Sequence, residues 1–120
     1  MATLMLASCS SSININEYID KNSPFDLTIN AMDTATGLTK ASQTKIAVNL
    51  KKHLKLINWL DKNKNGWHIT LASYVANISV TQKNSFRLLC TKNDNGIVIG
   101  LHDKQYSKSI QKGEIDFLTK

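Results

Sequence analysis

The sequence predicts an α+β fold, with an antiparallel sheet of about five strands and one main helix packed on one face. Three observations carry that expectation. Apolar and polar residues alternate in several short stretches, the rhythm of strands with one buried face. A single stretch, past Leu50 and stopping near Asn63 to Gly66, has helical spacing. Asp94-Asn95-Gly96 is a hairpin signal between two apolar runs, because Asn and Gly tolerate the left-handed backbone of tight turns.

In chain order, Ile13, Ile15, Tyr18 and Ile19 suit a short helical turn before Asn22-Ser23-Pro24. Phe25 to Ala31 alternates and predicts the first strand, and Ile46-Ala47-Val48-Asn49-Leu50 predicts a second. Polar residues around Asp33 to Gly37 make the connection a long hairpin loop. Beyond Leu50, the residues Leu54, Ile57 and Leu60 form an apolar helical stripe with Trp59 alongside, while Lys51, Lys52, Lys55 and Lys62 face water. Asn63-Lys64-Asn65-Gly66 ends that helix. Strands are expected at Trp67 to Leu71, Asn77 to Thr81, Ser85 to Thr91 and Ile97 to Leu101. The tail from Gly113 to Leu118 reads as a closing turn that docks Ile115, Phe117 and Leu118.

The chain has 120 residues, enough for one core, and its 42% hydrophobic content is that of a folded domain. Residues 1–16 are expected to be a leader remnant and polar tether, with one domain over 17–120. The net charge is +6, and Arg87 is the only arginine among 15 basic residues. Phosphate and base-edge recognition lean on arginine's planar fork, so this balance fits an acidic protein partner or anionic head groups as well as nucleic acid.

Most catalytic and metal chemistries lack their residues. His53, His68 and His102 are far apart in sequence, with no His-x-x-x-His or Cys-x-x-Cys, so no metal site and no cofactor is expected. Surface or half-buried positions are the expectation for all three. Cys90 should be a core residue, with Cys9 too far into the tail to bridge it. Cys90 beside His102 is the one pairing through which an enzyme could be built. The acidic pairs Glu114 with Asp116 and Asp94 with Asp103 read as solvated turns. A helix-turn-helix over 70–79 fails in its second helix, where Ile78, Val80 and Thr81 prefer a strand.

Leu6-Ala7-Ser8-Cys9, followed by Ser10-Ser11-Ser12, resembles the lipobox of bacterial lipoproteins, in which the cysteine sulfur takes a diacylglyceryl group. Leu4, Met5 and Leu6 are an apolar remnant shorter than the roughly 7 to 15 residues of an export signal, with no preceding Lys or Arg, so a start further upstream is expected. Ser10 after the cysteine implies, by that family's sorting habit, the outer membrane. The Trp59-Leu60 helix end, Gly66-Trp67, the strand Ile78 to Thr81 and Gln105-Tyr106-Ser107-Lys108 before Phe117-Leu118 are similar to small Gram-negative lipoproteins, some of which are immunity proteins that cover a toxin's active site. The resemblance implies a non-enzymatic, periplasmic protein, lipid-anchored through Cys9, that grips another protein, an acidic toxin or effector in the most concrete version. Trp67, Tyr74 and Tyr106 are the aromatic candidates for partner contact. The competing expectation, which follows if Met1 is the true start, is a cytosolic basic domain that touches nucleic acid through lysine.

Overall fold

Seven strands form one sheet in the order β2-β1-β4-β5-β6-β7-β3. The computed structural model of the chain describes residues 12–32, 35–71, 76–90 and 96–119. Phe25–Met32 (β1) and Thr39–Ile46 (β2) make a hairpin, followed by helix α1 at Lys51–Lys62 and the short β3 at His68–Ile69. Ile78–Gln82 (β4), Phe86–Cys90 (β5), Gly96–Leu101 (β6) and Lys104–Ser109 (β7) then run as an antiparallel meander.

The α+β class with one main helix is as expected, and the sheet is wider than the expected five strands. The second strand ends where it was expected to begin, at Ile46. β2 lies at the sheet edge and only Ile46 is buried, so its side chains carry almost no apolar alternation to read. β7 was given no element from the sequence, because Lys-Gln-Tyr-Ser-Lys-Ser is polar, with only its four central residues half-buried. Pairing with β6 on one side and β3 on the other makes it a strand.

Topology explains where the helix lies. The chain leaves β2 at one edge of the sheet and returns as β3 at the other, so α1 crosses the face between them. Its buried residues are His53, Leu56, Trp59 and Leu60. The expected stripe through Leu54 is corrected: Leu54 stands about 100° round the helix from His53 and is 57% exposed. Beneath the helix, Phe25, Leu27, Val80, Phe86, Leu88, Ile97 and Ile99 form the sheet's share of the core.

Both chain ends seal this layer. Ile115 and Leu118 are buried, as expected, around a 3-10 turn at Asp116–Leu118, with Phe117 packed against the core. Ile13 and Ile15 are also buried, and the Ile13 amide donates to the Lys64 carbonyl at 2.9 Å. Among the described residues, packing into the core is thus already present at Ile13 and Ile15, within the stretch 1–16 expected to be leader remnant and tether. Apolar side chains at those two positions gain more by filling the gap beside the helix end than by staying in water.

The sheet's other face carries Thr28, Ser79, Thr81, Arg87, Val98 and Gly100, and no described helix covers it. No helix among the described residues is long and apolar enough to cross a membrane.

Candidate functional site

Aromatic residues were the expected partner anchors, and their positions differ. Trp67 is fully buried, so it is no surface anchor. Its Nε1 donates to the Asn63 carbonyl at 2.6 Å, and its ring meets Trp59 edge-on with centroids 6.3 Å apart. Lys108 sits over the same ring at 5.7 Å and donates to Asn63 Oδ1 and the Asn65 carbonyl. The residues between the tryptophans are thus a stapled corner. Tyr106 is half-buried against the core. Tyr74 and Cys9 lie outside the described residues, as does Asp94.

Cys90 is buried, as expected, with Sγ 3.9 Å from the Ile78 carbonyl. Burial pushes its thiol up to about 12, which leaves no thiolate near neutrality. Cys90 pairs with Ile97 and Phe86 with Leu101, so Cys90 and His102 stand at opposite ends of the β5–β6 ladder and do not meet. His53, expected near the surface, is 2% exposed: its Nε2–H donates to the Ser23 carbonyl at 2.9 Å, and its ring packs on Phe25. A helical histidine one position before an exposed leucine gives no sign of this in the sequence. Glu114 is likewise not a solvated turn carboxylate. Its Oε2 accepts Trp59 Nε1–H at 2.7 Å and its Oε1 accepts the Gln111 amide at 3.1 Å. No group of three or more potential metal ligands exists among the described residues.

A different surface breaks the ordinary rules of local sequence. At the amino end of α1 the capping position is Leu50, which has no oxygen to accept a helix amide, and no acidic residue occupies the first turn. Lys51 and Lys52 stand there instead, adding charge to the positive end of the helix dipole. Each feature costs stability.

Around that end the surface is both greasy and basic. Leu50 and Leu54, 58% and 57% exposed, are one helical turn apart. A shallow groove lined by Leu50, Lys51, Lys52, Lys55, Asp116 and Phe117 runs beside them. Three lysines face one carboxylate here, and none of the three makes a hydrogen bond or ion pair with a described residue. The spacing of Leu50, Leu54 and the lysines was legible in the sequence, but it was assigned to core and solvent.

Comparisons with protein-family models, with curated proteins and with solved structures each find no match to this chain.

Proposed function

We propose that this is a non-enzymatic, lipid-anchored periplasmic protein that binds an acidic protein partner through the amino end of α1. The observation that carries the reading is the trio of Lys51, Lys52 and Lys55, whose side chains pair with no other described residue, around exposed Leu50 and Leu54. Apolar centres give an interface its binding energy, while a rim of one charge selects the complementary partner and speeds encounter. An acidic toxin or effector with an apolar ridge flanked by carboxylates fits this chemistry. The resemblance of Leu6 to Cys9 to a lipobox supports the anchor, and Ile13, four residues beyond Cys9, is buried in the core. Four Cα–Cα steps reach about 14 Å at most, so a lipidated Cys9 would hold the body close to the bilayer.

The test places a photo-crosslinker at position 54 or, as a control on the exposed helix surface, at position 58 in producing cells. A discrete adduct with one acidic protein from position 54, absent from position 58 and lost in Lys51→Glu/Lys52→Glu, is the expected result. Adducts from both positions, adducts insensitive to charge reversal, or adducts with nucleic acid would overturn the reading. Metabolic labelling with a palmitate analogue tests the anchor separately: label lost on Cys9→Ala supports it, and no label in the wild-type product removes it.

A further inference from the structure

A second basic cluster lies at the end of the sheet where two turns meet, with Arg87 on the open face. Arg87 stands between Thr81 on β4 and Gly100 on β6 in one cross-strand row. Two residues beyond Thr81, Lys83 lies in the β4–β5 turn; two beyond Gly100, His102 lies in the β6–β7 turn. The His102 amide donates to the Ser85 carbonyl at 3.2 Å, which ties the two turns together. The two turns therefore close the same end of the sheet and bring Lys83, Arg87 and His102 to one place, with the His102 ring edge-on to Tyr18 at 5.4 Å between centroids.

They surround a depression of about 240 Å³ lined by Thr81, Lys83, Asn84, Arg87, Gly100 and His102, with Phe86 at its base. No carboxylate of a described residue lines it. Lys83 approaches Asp20 only at 4.0 Å, and Arg87 makes no hydrogen bond or ion pair with a described residue. Gly100 fixes the arginine's pose: a side chain there would put its Cβ 3.2 Å from Nη2 and 3.4 Å from Nε, so the guanidinium lies across bare backbone. Lys83 and His102 hold φ of 55° and 58°, a left-handed backbone that usually goes to glycine. A simple turn would place glycine or asparagine at both, yet both positions carry a basic side chain.

The geometry points to an anion-binding site here that takes a phosphomonoester, with the Arg87 fork on two oxygens and Lys83 and His102 at the sides. Arginine's planar donors suit such an oxyanion, and a doubly charged group draws more from Arg87 and Lys83 than a carboxylate does. The phosphomonoester can belong to a soluble small molecule or to a lipid head group. The site is separate from the lysine groove on α1, and neither reading depends on the other.

Two probes decide it: glycerol 3-phosphate followed by amide chemical shifts at constant ionic strength, and co-sedimentation with phosphatidylcholine vesicles containing phosphatidic acid. Saturable binding of either, with shifts at Lys83, Arg87, Gly100 and His102 in the soluble case, is expected, and the probe that binds identifies the source. Arg87→Ala should weaken it at least tenfold, and Gly100→Val should weaken it too, since it displaces the guanidinium while removing no charge. Lys112→Ala, outside the depression, should leave it unchanged. Saturation with neither probe, or binding that survives both Arg87→Ala and Gly100→Val in variants that still unfold cooperatively, would overturn the site.

Discussion

The side chain of Gln82 meets the backbone of Asp20 as a second peptide would: Oε1 accepts the Asp20 amide at 2.5 Å and Nε2 donates to the Asp20 carbonyl at 2.8 Å. The same Nε2 reaches the carbonyls of Ser23 at 3.2 Å and Pro24 at 3.4 Å. Gln82 is 3% exposed and points inward from β4, so it anchors the segment leading into β1 to the middle of the sheet. Gln82→Leu keeps the volume but strands those backbone groups. A loss of about 3 kcal/mol in urea unfolding is the expected outcome, set by the cost of unpaired buried polar groups. A change under 1 kcal/mol would show that water replaces the amide.

Cys90 gives a pH prediction with a definite sign. Burial raises the folded thiol from 9.0 to about 12, so the folded state holds its proton where the unfolded chain releases it. The resulting stability is complete below pH 9 and is lost as pH rises towards 12. Cys90→Val should flatten that part of the stability–pH curve relative to wild type. At pH 8 a thiol reagent should label Cys90, as read by peptide mapping, only at the rate of global unfolding.

The helix face predicts opposite outcomes for neighbouring leucines. Leu56 is fully buried and Leu54 is 57% exposed. Leu56→Ala should cost about 2 to 5 kcal/mol, and Leu54→Ala should fall within about 0.5 kcal/mol of wild type. Leu50→Ser supplies the missing cap and should raise stability by about 1 kcal/mol while weakening the partner adduct. A Leu50→Ser variant that is less stable would mean that Leu50 packs rather than waits for a partner.

Trp59 and Glu114 join the helix to the closing segment through one charge-assisted bond of 2.7 Å. Glu114→Ala should lower stability by about 2 kcal/mol, and Glu114→Gln, which keeps an acceptor, by less. Equal effects of the two in thermal unfolding would show that the charge rather than the acceptor matters.

Strands with one buried face were easy to read. Phe25 and Leu27 on β1, Ile78 and Val80 on β4, and Phe86, Leu88 and Cys90 on β5 alternate because every second side chain enters the core. β2 and β7 escaped because an edge strand and a half-buried strand write no such pattern. Trp67 misled for a related reason. A tryptophan's type does not reveal whether its ring faces a partner or closes a corner, and Trp67 closes one.

By itself the sequence determined the class of the fold, its one main helix and the burial of Cys90, because these depend on residue type and local period. Only the tertiary structure decided which arc of α1 is buried, that His53, Gln82 and Glu114 spend their polar atoms holding segments together, and that Lys83, Arg87 and His102 share one depression. Those outcomes are set by strand pairing between residues distant along the chain, and the register that aligns them leaves no trace in local spacing.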